Sequence, residues 1–255
     1  MNLNPMEQFA VKPLAGLDKP LFQIAGHPIF FTNQAMLMVI VAVVSSLFLS
    51  LAVKPNRLVP TRSQSMAEMS YEFVASMIHS ATGEDGLKFF PFVFTLFIFV
   101  LCCNFFGMVP GSFTVTSQIA VTFALASLVI LLVIVTGFMK HGIGFLKLFV
   151  PQAPWYLLIL LIPIEVISFF TRPISLSVRL FANMLAGHTM LAVFGGFVVA
   201  LGSAGGILSA LSIAPMLLIV AIMLLELLVA FLQAYVFAIL TCIYLNEALH
   251  LHDHH

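Results

Sequence analysis

The chain has 255 residues, of which 62% are hydrophobic and only 8% are charged. A mean hydropathy of +1.14 excludes a globular domain with an ordinary polar surface and predicts an integral membrane protein. Ten basic and ten acidic side chains give a net charge of zero, and no basic stretch is dense enough to bind nucleic acid. Cys102, Cys103 and Cys242 have neither metal-ligand nor disulfide spacing, so we interpret them as buried hydrophobic residues.

Five apolar stretches are long enough to cross a bilayer as helices, which takes about 20 residues each. Residues 1–31 precede the first stretch and lack the features of a signal peptide. The second and third stretches should form a hairpin, because only the short uncharged turn Pro110-Gly111-Ser112 joins them. The sequence therefore predicts an all-α membrane protein with one membrane domain, whose apolar stretches are 34–53, 89–109, 119–139, 155–200 and 207–249.

The last two stretches are unusually long. As helices they would each measure about 60 Å, twice the thickness of the hydrocarbon core. We therefore predict a strongly tilted hairpin that turns at Gly202–Gly206, with Pro163 and Pro173 available to kink its first helix. The alternative divides each stretch into two short spans, but the absence of a polar connector leaves little room for a turn.

An amphipathic helix is predicted over 65–82, between the first two spans. Glu68 and other polar residues alternate there with apolar ones at helical periodicity, and Ser65 with Glu68 matches a capping box. The segment is too polar to cross the membrane, so we expect it to lie on the surface as a docking platform. Its apolar face contains Met66, Met69, Phe73, Val74, Met77, Ile78 and Ala81.

The distribution of Lys and Arg predicts the orientation, because these residues favour the inner side. With the N-terminus outside and the C-terminus inside, Lys12 and Lys19 are the only basic residues in the outer segments. The inner loops then contain Lys54, Arg57, Arg62, Lys88, Lys140 and Lys147.

The histidine-rich tail, 250–255, is interpreted as a solvated terminus rather than a metal site, and no cofactor is predicted.

Arg179 is the most informative of the charged residues in the long helices. It lies near the middle of its stretch, where a charge costs about 2.5–3.5 kcal/mol, and it stays protonated at any accessible pH. No carboxylate lies within one helical turn, so its counter-ion should come from another subunit or, as an ordinary assembly pair, from Glu226 or Glu165. Its helix face, which invites close contact with another helix, also contains Ser175, Ala182, Asn183 and Ala186.

Two further clusters follow from the predicted topology. His188 and Glu226 fall on the outer side, where an imidazole and a carboxylate can exchange a proton near neutral pH. Glu165 and Glu247 fall toward the inner side. Between the clusters stand the fixed cation Arg179 and the amide Gln233, neither of which can relay a proton, so a proton path would be interrupted. Such a path requires a mobile partner that carries a carboxylate.

The segment Ser175–His188, which reads SLSVRLFANMLAGH, resembles the signature of subunit a of rotary ATP synthases. The resemblance covers nearly the whole chain and is weakest before about residue 30. Other matching segments are Asn104 followed by GMVP at 107–110, GSFTVTS at 111–117, ELLVAFLQ at 226–233 and YLNE at 244–247.

The resemblance implies a proton-conducting stator subunit without an active site of its own. Its implied partners are a rotating ring of proteolipid (c) subunits, the peripheral stalk (b-type) subunits and the rest of the ATP synthase. Arg179 would be the essential arginine, which holds each arriving ring carboxylate ionised and blocks a direct leak. By the same resemblance, Asn183 and Gln233 flank Arg179, His188 and Glu226 line an outer half-channel, and Glu165 and Glu247 line an inner one.

This sequence departs from many bacterial members of that family at two places. His188 and Glu226 stand in the order that is similar to the mitochondrial form. Gly107 stands where some bacterial members have an aspartate, which leaves Asn104 and Gln118 as further candidates for the outer half-channel. We expect protons rather than sodium ions to be transported, and a bacterial inner membrane rather than a mitochondrial one.

Two rival functions stay open from the residues alone. A self-contained secondary transporter would also hold charges near the midplane, but no inverted repeat is visible here. An intramembrane hydrolase would need Ser203 as its nucleophile and His188 as its base, although a serine in a glycine-rich turn is typical of turn chemistry. Arg172, near the inner end of its helix, is expected to reach lipid headgroups.

Overall fold

The computed structural model describes residues 10, 22–24, 27–52, 61–109, 113–150 and 154–249. Five helical segments within these ranges are long and apolar enough to cross a membrane, which confirms the predicted all-α class. A short antiparallel hairpin, β1 (Phe22–Ile24) and β2 (His27–Ile29), precedes them and was not predicted. The helices are α1 (Asn33–Ala52), α2 (Arg62–Thr82), α3 (Phe90–Gly107), α4 (Ile119–His141), α5 (Trp155–Ser203), α6 (Ile207–Leu211) and α7 (Ile213–Leu249).

The chain forms two compact units. Unit 1 contains the described residues of 1–48, 99–118 and 180–233, and unit 2 contains those of 49–98, 119–179 and 234–255. Helices α1, α3, α5 and α7 each contribute one part to unit 1 and the other part to unit 2. Each unit therefore draws its side chains from several membrane-spanning helices.

The three shorter spans lie close to their predicted positions. Helix α1 begins one residue before the predicted start. Helix α3 follows a 3-10 segment, Glu84–Phe89. Helix α4 follows a short 3-10 turn, Val115–Ser117, and continues two residues beyond its predicted end into a further 3-10 segment, Gly142–Phe149. The predicted turn Pro110-Gly111-Ser112, most of residues 1–31 and the tail 250–255 lie outside the described residues.

Helix α5 is continuous over 49 residues and passes through both Pro163 and Pro173. The alternative in which this stretch divides into two short spans is therefore wrong. A proline removes only one backbone donor, and helices in lipid tolerate it when neighbouring groups adjust. At 1.5 Å per residue the helix is about 70 Å long, so its strong tilt in the membrane stays a prediction.

The predicted turn after α5 has a specific backbone cause. Gly205 and Gly206 have φ values of 70° and 61°, a region in which only glycine is unstrained. The stretch that follows was predicted to be one helix, but it is interrupted at Ser212 between α6 and α7. Pro215 lies in the first turn of α7, where a helix does not need the missing N–H.

Helix α2 begins at Arg62, three residues before the predicted start, because Thr61 is its N-cap and accepts a hydrogen bond from the backbone N–H of Gln64. The predicted capping box at Ser65 is therefore wrong. Val74, Met77 and Ile78 are buried as expected, whereas Met66 and Met69 are exposed. Within unit 2 the helix packs through aromatic rings, with centroid distances of 4.4 Å for Tyr71–Phe90, 5.7 Å for Phe73–Phe97 and 5.8 Å for Phe73–Tyr235.

Candidate functional site

Unit 1 brings His188 of α5 and Glu226 of α7 together. His188 Nε2 lies 3.5 Å from Glu226 Oε1, and the two side chains are only 12% and 4% exposed. The sequence predicted that these two residues would cluster, and the structure supplies a distance at which a modest side-chain movement allows proton exchange. A half-buried imidazole beside a buried carboxylate inside apolar helices is thus the centre of this site.

Gly187 allows this approach. A Cβ atom at that position would lie 2.7 Å from Glu226 Oε1 and 2.9 Å from its Cδ atom, which is closer than non-bonded atoms can come. The missing side chain of Gly187 therefore makes the space in which the Glu226 carboxyl group lies beside α5. The sequence motif contains the glycine, but only the structure gives this reason for it.

Thr114 is a third member of the cluster, and the sequence reasoning did not single it out. Its Oγ1 atom lies 3.1 Å from His188 Nε2 and donates a hydrogen bond to the carbonyl oxygen of Gly107 at 3.3 Å. Gly107 allows this approach too, because a Cβ there would lie 2.8 Å from Thr114 Cγ2. The only signal in the sequence was the matching segment 111–117, which contains Thr114.

Asn104 extends the buried polar surface of unit 1. Its Nδ2 atom donates to the carbonyl oxygen of Ala230 at 3.1 Å, whereas its Oδ1 atom and both carboxyl oxygens of Glu226 lack hydrogen bonds to other described residues. Buried polar atoms in proteins are normally satisfied by protein groups or water. These three oxygen atoms could therefore accept hydrogen bonds from water or receive a mobile proton. Gln118, the other further candidate for the outer half-channel, is half-buried in the same unit.

Asn183 and Gln233 contact each other in unit 1. Asn183 Nδ2 donates to Gln233 Oε1 at 3.1 Å. Asn183 is exposed and Gln233 is 4% exposed, so a buried amide supports an exposed one. These are the two residues that the family resemblance assigns to the neighbourhood of Arg179.

Arg179 belongs to unit 2 and is exposed on the isolated chain. The part of the chain that the structure describes contains no ion pair to it. Within unit 2, Glu165 therefore does not act as its ordinary assembly partner, whereas Glu226, the other predicted assembly partner, belongs to unit 1. All other members of its predicted helix face are exposed as well: Ser175, Ala182, Asn183 and Ala186.

Glu247 forms an ion pair with Arg172 in unit 2, and the guanidinium group donates to its Oε2 atom. The guanidinium carbon also lies 5.1 Å from the ring centroid of Tyr244 and 5.9 Å from that of Phe169, a cation–π arrangement. The expectation that Arg172 reaches lipid headgroups is therefore wrong, since protein groups hold it instead. The sequence reasoning missed this pair because the partners are 75 residues apart.

Glu165, the other predicted inner acid, is half-buried in unit 2 and has no ion pair to any described residue. The structure pairs Glu247 with Arg172 and records no bond between the two acids. The hydroxyl of Ser203 donates to the carbonyl oxygen of Ala200 in its own helix and is exposed. That local bond is ordinary helix-end chemistry and lends no support to a nucleophile.

These features define a class: a multi-span membrane protein organised around charged and titratable groups within its helices. The sequence model of the family described as "ATP synthase A chain" matches residues 35–246, and the chain belongs to this family. A protein of Mesorhizobium japonicum named "ATP synthase subunit a" is 57% identical over 249 residues, which cover 97% of each chain. A protein of the same name from Rhizobium rhizogenes is 57% identical over 96% of this chain and 97% of its own length. Another, from Sinorhizobium medicae, is 54% identical over the full length of both chains.

Family membership indicates the complex and the membrane in which the chain works. The chain works as part of an ATP synthase, together with the other subunits of that complex. The bacterial relatives and the five membrane-spanning helices indicate a bacterial inner membrane, which agrees with the preference derived from the sequence.

Proposed function

We propose that the chain is the proton-conducting stator subunit of its ATP synthase and exchanges protons with carboxylates on a rotating ring of proteolipid subunits. Two offset aqueous half-channels would deliver and remove the protons. In this proposal the N-terminus is outside and the C-terminus inside, and peripheral stalk subunits hold the chain against the turning ring.

The observation that carries the proposal is the state of Arg179. A permanently charged guanidinium group near the middle of a long apolar helix is costly in lipid and needs a counter-charge. It is exposed and has no ion pair among the residues that the structure describes. A carboxylate on a neighbouring subunit would satisfy it, and such a carboxylate is what a proteolipid ring would bring.

The exposed surface of α5 supports close contact with that partner. Within unit 1 an open apolar groove of about 660 Å³ includes the small residues Ala182 and Ala186 of the predicted face. Small side chains let helix backbones approach closely in membranes. The groove is lined by Phe181, Ala182, Leu185, Ala186, Thr189, Met190, Val193 and Phe194.

The division of acids between the units supports two separate half-channels. Unit 1 contains His188, Glu226, Asn104 and Gln118, whereas the acids Glu165 and Glu247 belong to unit 2. We assign the unit 1 cluster to the outer half-channel and the unit 2 acids to the inner one. Water or a mobile proton would satisfy the Glu226 and Asn104 oxygens that have no protein donor among the described residues.

A cycle of proton transfers follows. A ring carboxylic acid loses its proton to the inner half-channel when it approaches Arg179, because the guanidinium group favours the ionised form. After passing Arg179, the carboxylate is reloaded from the His188–Glu226 side and re-enters the lipid as a neutral acid. The offset between the two entrances sets the direction of rotation, and ATP hydrolysis would drive the same steps in reverse as proton pumping.

We infer that the transported ion is the proton rather than sodium. An imidazole–carboxylate pair transfers protons readily, whereas sodium sites need several oxygen ligands. ATP synthesis driven separately by a proton gradient and by a sodium gradient tests this inference. Synthesis that follows the sodium gradient at constant pH would contradict it.

The central test is Arg179→Ala in the assembled complex, with ATP-driven proton pumping, passive proton flux and ATPase activity measured in inverted membrane vesicles. We expect pumping to be lost while ATPase activity remains. Arg172→Gln is the matched control, since it removes another arginine from the same helix, and it should retain more pumping. Full pumping by Arg179→Ala would refute the proposal. Gradient-driven uptake by the chain alone in liposomes would favour a self-contained transporter instead.

A further inference from the structure

We infer that Thr114 is a positioning residue for His188: its hydroxyl group, held between His188 Nε2 and the Gly107 carbonyl group, keeps Nε2 turned toward Glu226 both before and after that nitrogen gives up its proton. This inference rests on the proposed function, because it concerns the outer imidazole–carboxylate pair. It adds a residue to which neither the sequence motif nor the proposal so far gives a role.

The hydrogen-bond directions follow from a count of donors. Thr114 has one hydroxyl proton and two neighbours, the carbonyl oxygen of Gly107 at 3.3 Å and His188 Nε2 at 3.1 Å. A carbonyl oxygen can only accept, so the hydroxyl proton points to Gly107. Thr114 Oγ1 is then left as an acceptor, and Nε2 must carry the proton of the second bond. Both contacts are satisfied only when His188 is protonated at Nε2.

The same nitrogen faces Glu226. Its distance of 3.5 Å to Glu226 Oε1 means that the Nε2 proton has two oxygen neighbours, one on Thr114 and one on the carboxyl group. Thr114 and Glu226 are 3% and 4% exposed and the His188 side chain is 12% exposed, so bulk solvent has little access to this edge of the ring. Thr114 therefore holds the reactive edge of the imidazole in place without itself receiving the transferred proton.

The transfer step explains why a hydroxyl group suits this position. When the proton passes from the imidazolium to the carboxylate, the Nε2–H bond breaks and an Oε1–H bond forms, so both groups become neutral. Nε2 then has a lone pair that needs a donor. Rotation of the Thr114 hydroxyl about its C–O bond moves its proton from the Gly107 carbonyl group to Nε2. A hydroxyl can accept and donate in this way, whereas the methyl groups of a valine can do neither.

Two glycines fit this arrangement. Gly107 leaves room for Thr114, since a Cβ there would lie 2.8 Å from Thr114 Cγ2, and Gly187 leaves room for Glu226. The two polar partners of His188 thus each lie against a position that has no side chain. Because a Cβ atom at position 107 would clash only with the methyl group of Thr114, replacing Thr114 by serine should relieve the clash. The other contacts of that Cβ, with the Cα and Cβ atoms of Thr114, are at 3.5 Å, an ordinary packing distance.

The first test compares Thr114→Val with Thr114→Ser in the assembled complex. Valine keeps the shape and removes the hydroxyl group, and we expect proton pumping to fall about tenfold, the order of one hydrogen bond to a charged group. Serine should restore most of the pumping. The matched control is Thr95→Val, because the Thr95 hydroxyl bonds only to Pro91 of its own helix in the described structure. Pumping by Thr114→Val equal to that of the unmodified complex, at equal assembly and ATPase activity, would overturn the inference.

The second test remains informative even if Thr114→Val fails to assemble. Gly107→Ala should lower pumping because its Cβ displaces Thr114, and the double variant Gly107→Ala/Thr114→Ser should regain it. Equal pumping by the single and double variants, whether both low or both normal, contradicts the role of Thr114. His188→Ala is measured in parallel. If His188→Ala loses pumping while the Thr114 variants do not, only this inference fails, whereas normal pumping by His188→Ala also removes His188 from the proposed function.

Discussion

Helix α7 contains two carboxylates in different surroundings. Glu226, in unit 1, is 4% exposed, lies beside an imidazole and receives no hydrogen bond from the described part of the chain. The side chain of Glu247, in unit 2, is 29% exposed and is bound by the guanidinium group of Arg172. One acid is therefore placed for exchange with a titratable partner, while the other is committed to a permanent cation. The role of an acid within a membrane helix therefore depends on its neighbours and not on its depth alone.

Replacing each acid by its amide should give the largest contrast. Glu226→Gln keeps the size of the side chain and removes its ability to take up a proton, so we expect ATP-driven pumping to fall about a hundredfold. Glu247→Gln retains an acceptor for Arg172, and we expect a loss of roughly fivefold. Acidification of inverted membrane vesicles measures both. Equal losses at equal assembly would mean that the two environments do not define two roles.

The close approach of Glu226 to α5 gives the second prediction. Gly187→Ala places a methyl group where the Glu226 carboxyl group now lies, so the carboxyl group must move away from His188 and pumping should fall about tenfold. Gly195→Ala is the matched control in the same helix and unit, because a Cβ there meets no atom within 4 Å. Similar pumping by the two variants would show that the position of the Glu226 carboxyl group is not critical.

Much of the fold could be predicted because apolar length determines it. Five stretches, two of them too long for one upright crossing, already give the five membrane-spanning segments. The predicted start of α2 was wrong because two capping patterns follow each other directly: Thr61 precedes Gln64 by three residues, just as Ser65 precedes Glu68. Each pattern satisfies the sequence rule, and the earlier one forms the cap. Local spacing cannot choose between two such neighbours.

In the candidate site, only those contacts could be predicted that follow from the residue types and from the predicted order of the helices. His188 and Glu226 could be paired because few polar residues lie in the two long helices and the predicted topology brings these two to the same side. The contact of Thr114 with His188 joins positions 74 residues apart, and no periodicity encodes it. Arg172 was misjudged for the same reason, since its partner lies 75 residues away on another helix. Contacts between positions so far apart in the chain become visible only in the three-dimensional structure.

A double-mutant cycle on Arg172 and Glu247 gives the third prediction. The single changes Arg172→Met and Glu247→Gln each remove the ion pair, whereas the double change leaves no charge without a partner. We expect a coupling energy of about 1 kcal/mol, less than for a fully buried pair, because the side chains are 23% and 29% exposed. The urea concentration that releases the chain from the purified complex measures it. Strictly additive effects would mean that Arg172 is held by Tyr244 and Phe169 rather than by Glu247.

The smallest effect is expected at Asp85 and Lys140, an ion pair of unit 2 outside the long helices. The nitrogen–oxygen distance is 3.3 Å, and the Lys140 and Asp85 side chains are 39% and 50% exposed. Water therefore competes with the pair, and Asp85→Asn or Lys140→Gln should change the stability in the same urea assay by less than about 0.5 kcal/mol. Added salt should weaken even that effect, because exposed charges are screened, while the coupling of Arg172 with Glu247 should respond less. If the two pairs show the same coupling and salt dependence, exposure is not what distinguishes them, and the cation–π contacts of Arg172 contribute little.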